Sequence, residues 1–266
     1  MSSGQLDHMK FTNVCFFLIY FLSATCNVGA QVVPLPKAHA HNDYLHEHPL
    51  KDALRFGFTS VEADVYSING ELYVSHERPE KLTGITLKEL YLNPLQSLMR
   101  SHNATVYPNY YGEFYLLIDI KDDAVETYKV LKEQLLTYPE LLRNPHFKIY
   151  LTSFQDIHFV LNDPARVVGI DGRLGDLNKG YGTEQVPVVS ESFQKITRWN
   201  GKDSLTANQF ELVKQFISKV HAEGKKCRVW AIPDEPNAWR RLLADGIDFI
   251  NTDRLEAFSD FMAKHN

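Results

Sequence analysis

Acidic and basic side chains recur at alternate positions in two apolar runs of this sequence. Glu62 and Asp64 in "VEADV", and Asp119 and Lys121 in "LLIDIK", each share one face of a predicted strand, because side chains alternate across a strand. Three buried carboxylates are costly unless a positive charge pairs with them. A divalent cation together with Lys121 would make such a site roughly neutral, and oxygen ligands favour Mg²⁺ or Ca²⁺ over zinc. The alternative is that each acid forms a surface ion pair.

Histidines lie close to the same predicted strands. His41 follows the first strand, His39 lies two positions before His41, and His76 ends the arm "ELYVSH". Two imidazoles beside a metal-bound anion could cleave a phosphodiester by general acid and base catalysis, because both titrate near neutral pH. Exposed histidines at strand ends are the alternative interpretation.

The elements that must position these groups alternate between short β-rich runs and helical stretches. Asn69-Gly70 predicts a hairpin turn, and counting its second arm apart leaves eight strands in line. Runs such as "RVVGI" and "VPVVS" are typical of strands buried on both faces. We therefore predict a (β/α)8 TIM barrel, with a doubly wound open sheet as the alternative. The lack of a glycine-rich phosphate fingerprint in the sequence disfavours a dinucleotide-binding fold.

Composition and the N-terminal segment limit the possible functions. The 266 residues carry a net charge of −5, which argues against a nucleic-acid surface. An apolar run with small residues after it predicts a signal peptide at residues 1–30, with Met9 as an alternative start, and a single domain at 31–266. We therefore expect an exported protein, periplasmic or secreted. Lipid attachment at Cys26 is the less favoured alternative.

The motif "AHAHNDY…PLKDALRFGFTSVEADVYSINGELYVSHE" resembles the opening of the glycerophosphodiester phosphodiesterase superfamily, the phospholipase-C-like TIM barrels that include sphingomyelinase D. Its "HxHNDY" form is most similar to a branch that includes fungal altered-inheritance-of-mitochondria proteins and exported bacterial relatives. "LLIDIK" resembles the third-ligand strand of the family, "RVWAI" its strand with an active-site tryptophan, and "GIDFINTDR" its closing strand.

The resemblance implies roles for individual residues. Two histidines would be catalytic and three carboxylates would bind one Mg²⁺ or Ca²⁺ ion, while further side chains would contact substrate. In that order these are His41 and His76; Glu62, Asp64 and Asp119; and Asn42, Lys121 and Trp230. His39 would support the site. The chain departs from the family in having Asn42-Asp43 where Arg-Gly is usual and an aspartate as the third ligand, so glycerol phosphodiesters should not be assumed as substrates.

These observations predict a metal-dependent phosphodiesterase that acts on a small or phospholipid-derived diester. We expect a monomer without a nucleic-acid partner, and a transient contact with a membrane surface is compatible with such a substrate. A barrel that binds a metal and an anion without turnover is the alternative from another class, although binding alone does not require both an acid and a base. Amidohydrolases also carry an HxH pair, but they need further histidines on middle strands, and "KIYLTSF" and "VPVVSE" supply none.

Overall fold

Eight parallel strands close into a barrel in the part of the chain that the computed structural model describes, which is Met1 and residues 32–82, 84–154, 156–203 and 206–265. The strands are β1 (Leu35–Ala40), β2 (Phe58–Ile68), β3 (Glu71–Val74), β4 (Phe114–Ile120), β5 (Phe147–Thr152), β6 (Gly169–Gly172), β7 (Val188–Ser192), β8 (Lys226–Trp230) and β9 (Phe249–Thr252). β1 pairs with both β2 and β9 and so closes the ring, while β3 lies antiparallel to β2 outside it. The predicted TIM barrel is confirmed.

Helices connect most of the strands and cover the barrel. In the described ranges they are α1 (Lys51–Arg55), α2 (Asn93–Ser101), α3 (Ala124–Leu136), α4 (Pro139–Leu142), α5 (Ile157–Leu161), α6 (Phe193–Ile196), α7 (Ala207–His221), α8 (Pro236–Asp245) and α9 (Leu255–His265). Short 3₁₀ turns at Asp43–Leu45 and Leu174–Asp176 and a π-helical turn at Lys88–Leu92 complete the set. None of the helices within these ranges has the length and apolar character needed to span a bilayer.

Alternation along the strands separates an outer core from the barrel interior. Val61, Ala63 and Val65 of β2 are fully buried in the large apolar core, whereas Glu62 and Asp64 belong to the opposite face. A separate apolar cluster fills the lower part of the interior, near the amino ends of the strands: Tyr115, Leu117, Tyr150, Val188 and Phe249. The polar side chains therefore lie above this cluster, towards the carboxyl ends, where TIM barrels carry their active sites.

The β2–β3 hairpin brings the chain back to the end of β2. Asn69 and Gly70 both have positive φ values, 55° and 79°, which is the requirement of the two-residue turn that the sequence predicts. After β3, the N–H of Ser75 donates to the carbonyl of Asp64 at 3.2 Å. The turn thereby positions His76, the next residue, beside the carboxylates of β2.

The predicted signal peptide, residues 1–30, lies outside the described residues apart from Met1. The division of the chain at residues 30 and 31 stays a prediction.

Candidate active site

Three carboxylates meet where the middle of β2 pairs with the carboxyl end of β4. The parallel register places Asp64 directly opposite Asp119, and Glu62 lies one alternation earlier on the same face of β2. One oxygen of each side chain lies within 4.8 Å of the others, and the three residues are at most 6% exposed. The structure thus brings together the three residues that the sequence suggests as metal ligands.

This cluster fits a hard divalent cation. Asp64 Oδ1 and Asp119 Oδ1 are buried and have no hydrogen-bond partner among the described residues, so each retains a lone pair that a cation could satisfy. Burial raises the pKa of Asp119 to about 6, although Lys121 opposes the shift. A carboxylate in such a position lacks sufficient positive charge nearby. The three carboxylates could therefore hold one divalent ion, and an all-oxygen donor set is the kind that Mg²⁺ and Ca²⁺ prefer.

Lys121 supplies part of the missing positive charge. Its Nζ lies 2.9 Å from Asp64 Oδ2 and 2.8 Å from Asp119 Oδ2. Burial alone would lower the pKa of Lys121, but the two carboxylates outweigh burial and raise it above the usual value. The ammonium group is therefore charged at every physiological pH and is available beside the carboxylates for an anion.

His39 is fully buried and holds Glu62. Its Nε2 lies 2.9 Å from Glu62 Oε2, and its Nδ1 lies 2.7 Å from Ser60 Oγ. Burial lowers the pKa of His39 to about 4, although the hydrogen bond to Glu62 opposes the shift. The ring is neutral at pH 7, so Nε2–H donates to Glu62 and Nδ1 accepts from the Ser60 hydroxyl. Through these contacts His39 orients the Glu62 carboxylate.

A buried arginine that sequence reasoning missed lies below the carboxylates. Arg228 reaches across the interior from β8 and donates to Glu62 Oε2 at 3.2 Å and to Asp171 Oδ2 at 3.0 Å. Its remaining donors are taken up by Ser190 Oγ, Thr152 Oγ1 and Asn251 Oδ1. Arg228 thus fixes the first ligand from below. In the sequence, only its position next to the apolar Val229, on the other face of a buried strand, indicated that its side chain points inward.

His41 lies at the barrel mouth with a carboxylate partner. Its Nδ1 is 2.8 Å from Asp253 Oδ1, which follows β9. Burial would lower the pKa of His41, but the hydrogen bond with Asp253 and the nearby charge of Glu62 raise it overall. Asp253 holds the Nδ1 proton and leaves Nε2 available to a ligand. Asp253 lies in the "GIDFINTDR" motif of the closing strand, and its position at the end of that strand did not by itself predict a contact with His41.

His76 and Asn42 meet at the hydroxyl of Tyr44. Tyr44 Oη lies 2.6 Å from Asp64 Oδ2, 3.1 Å from His76 Nδ1 and 3.1 Å from Asn42 Oδ1. His76 Nδ1 is also 3.3 Å from Asp64 Oδ2. Both predicted residues, His76 and Asn42, therefore lie at the carboxylate cluster. Tyr44 lies there too, and like Arg228 it had no role predicted from the sequence.

Trp230 ends β8 and shares the inward face of that strand with Arg228, one alternation nearer the mouth. It is half-buried, and in the described residues no hydrogen bond joins it to the carboxylates. Its position allows it to line the entrance rather than the metal site.

The sequence of this chain is similar to those of known proteins. The model of one family, the AIM6-like phosphodiesterase domain, matches residues 26–173. The altered inheritance of mitochondria protein 6 homolog of Arthroderma benhamiae is 27% identical over 87% of this chain and 85% of its own. The altered inheritance of mitochondria protein 6 of Eremothecium gossypii is 28% identical over 90% of this chain and 72% of its own.

A solved structure supports the fold independently of close sequence similarity. The glycerophosphodiester phosphodiesterase of Parabacteroides distasonis superposes with a TM-score of 0.51 at 15% identity, over 86% of this chain and 98% of its own. At this identity the likeness concerns the fold alone. Together with the family match, it confirms the resemblance that the motifs indicate.

The prediction of an exported protein, periplasmic or secreted, is wrong. The similar curated proteins are fungal, not bacterial, and are named for the inheritance of mitochondria. The prediction rested on an apolar run followed by small residues. Segments of several kinds contain such an apolar run, so the run alone does not specify the cellular compartment of the protein.

Proposed function

This chain belongs to the family of AIM6-like phosphodiesterase domains, and we propose on that basis that it is a phosphoric diester hydrolase that requires one Mg²⁺ or Ca²⁺ ion. One observation carries the proposal. At a single barrel mouth, three buried carboxylates lie with two histidines, and the Nδ1 of each histidine lies beside an acid, Asp253 for His41 and Asp64 for His76. Each ring thereby keeps Nε2 for a substrate, as paired acid and base catalysis requires.

The residues divide the work by their surroundings. Glu62, Asp64 and Asp119 would hold the ion, which when bound would polarise a phosphoryl oxygen. Lys121 would contact the same phosphate group, because its ammonium lies beside two of these carboxylates and therefore close to the ion that they would hold.

The two histidines differ in the carboxylate that each one contacts. Asp253 is not among the candidate ligands, so its charge stays available to stabilise a protonated His41, and we assign His41 as the acid that protonates the leaving oxygen. His76 instead contacts Asp64, a candidate ligand whose charge a bound cation would offset in part, so we assign His76 as the base that accepts the proton of the attacking hydroxyl or water.

The substrate is best described as a small or phospholipid-derived phosphodiester. Asn42 and Trp230 are the proposed contacts for its organic part. Because Asn42 takes part in a network with Tyr44, the pocket differs from one built on Arg-Gly, and glycerol need not be the alcohol. We propose that the protein acts as a monomer without nucleic acid, and that any membrane contact is transient.

Turnover of bis(p-nitrophenyl) phosphate with Mg²⁺ or Ca²⁺, and its loss on adding a chelator, tests the proposal directly. We expect His41→Ala and His76→Ala each to lower kcat by about 10²–10⁴-fold, the usual contribution of a general acid or base. His146→Ala is the matched control, since His146 precedes β5 at the opposite end of the barrel. Metal binding without any turnover of several diesters would favour a non-catalytic, anion-binding barrel instead.

A further inference from the structure

The segment Asn42–Asp43–Tyr44 is held in place by its middle residue. Asp43 is fully buried, and its Oδ2 accepts hydrogen bonds from the Tyr91 hydroxyl at 2.8 Å and from the Leu50 N–H at 2.7 Å. Asn42 has a left-handed conformation, with φ at 47°, which turns the chain out of β1. The segment is therefore anchored to the helical layer and returns Tyr44 to the carboxyl ends of the strands.

The Tyr44 hydroxyl joins Asp64 to His76. It has a single hydrogen, and the charged oxygen of Asp64 at 2.6 Å is both the nearest and the strongest acceptor. His76 Nδ1, at 3.1 Å, must then donate to the Tyr44 oxygen. The Asn42 side-chain amide also lies 3.1 Å from this oxygen. Because a half-turn of the amide exchanges its oxygen and nitrogen, its N–H can face Tyr44 and donate. These contacts place the proton of a neutral His76 ring on Nδ1.

We propose that Tyr44 is the positioning residue of His76: its hydroxyl fixes the ring and its tautomer, so that Nε2 is left unprotonated towards the substrate. The proposal rests on the proposed phosphodiesterase function for its kinetic consequence, but not for its structural part. The side chain of His76 is 54% exposed, so few packing contacts restrain it and hydrogen bonds must set its orientation. Asp64 alone is a weaker restraint, since its Oδ2 lies farther from Nδ1, at 3.3 Å.

The test compares Tyr44→Phe with Tyr111→Phe. Tyr111 is exposed and packs edge-to-face against His146, before β5, so its variant controls for the loss of a phenolic hydroxyl away from the site. In Tyr44→Phe we expect kcat to fall roughly 10- to 100-fold, the effect of losing a hydrogen bond within a charged network, while KM changes by less than about threefold. Tyr111→Phe should leave both constants unchanged.

A second readout does not depend on turnover. The ¹⁵N shifts of the His76 ring, recorded at one alkaline pH where the ring is neutral, report which nitrogen carries the proton. We expect Nδ1–H in the wild type and a shift towards Nε2–H in Tyr44→Phe. The assignment uses His76→Ala, whose spectrum lacks these signals.

The two readouts separate the possible failures. An Nε2–H wild type, or a Tyr44→Phe variant with unchanged tautomer and kcat, would overturn the role of Tyr44. The expected tautomers in a protein that cleaves no diester would support the positioning and reject the phosphodiesterase function. Because an Nε2–H wild type would overturn the proposal by itself, instability of the variant would not remove the test.

Discussion

Replacement of the buried Arg228 by methionine should destabilise the barrel strongly. Arg228 is 3% exposed, and its guanidinium donates to two carboxylates, Glu62 and Asp171, at 3.2 and 3.0 Å. Methionine would fill much of the volume but would leave Glu62 buried without its arginine partner and Asp171 with only Arg173 as a cationic partner. The His39 ring is neutral beside Arg228 and supplies no positive charge in the wild-type protein.

The expected cost follows from these contacts. Removing one partner of a buried ion pair costs about 3–5 kcal/mol, because the remaining charge is left uncompensated. Arg173 Nη1 lies 3.4 Å from Asp171 Oδ2 and would offset part of the loss, so we expect the lower half of that range. At about 2–4 °C per kcal/mol for a domain of this size, the melting temperature should fall by roughly 6–16 °C.

Thermal and urea unfolding in the presence of a chelator measure this effect, since a bound cation would itself pair with Glu62. Arg100→Met is the control, because Arg100 is exposed and its pair with Glu140 is exposed too. Adding Asp171→Asn to Arg228→Met should recover part of the loss by removing one stranded charge. A melting temperature for Arg228→Met within about 3 °C of wild type, or no recovery in the double variant, would refute this reasoning.

Two further predictions concern the metal and a buried acid. Mg²⁺ or Ca²⁺ at about 100 times its Kd should raise the free energy of unfolding by roughly 2.7 kcal/mol. The Asp64→Asn variant should lose this stabilisation, whereas the control Asp260→Asn, on the exposed side of α9, should keep it. Equal stabilisation of both variants would place the ion elsewhere. Burial raises the pKa of Asp43 from 3.8 to about 6, so the folded state binds this proton more tightly and stability is lost as pH rises across that interval. The stability of wild type relative to Asp43→Asn, from urea titrations at several pH values, should therefore decline between these two values, and a constant difference would contradict the burial argument.

Local patterns in the sequence were sufficient to predict which side chains share a face. The alternation in "VEADV" separates Glu62 and Asp64 from the apolar residues around them, and the Asn69-Gly70 turn predicts the return of the chain that carries His76. Both patterns depend on a few neighbouring residues, because pleating and turn geometry are local properties. They predicted the strands of the barrel and the residues of the carboxylate cluster.

Partners across the barrel could not be predicted in the same way. Arg228 and Glu62 are 166 positions apart, and His41 and Asp253 are 212 positions apart. Alternation shows that Glu62 and Arg228 face inward, but which side chains meet depends on how the strands stagger when the sheet closes. The arginine below the ligands and the aspartate beside His41 therefore became visible only in the closed barrel.

Depth in the barrel separates the chemistry of two histidines that look equivalent in the sequence. His39 lies on β1, and His41 is two residues further along the chain, just past the end of that strand at Ala40. At the deeper position His39 is fully buried, and Glu62 and Ser60 occupy both ring nitrogens, so the ring has no nitrogen left for a substrate. At the mouth, His41 spends only Nδ1 on Asp253, and that carboxylate favours its protonated form. Of the two, only His41 could give a proton to a leaving oxygen, and this is why we assign the acid to His41 and the support of Glu62 to His39.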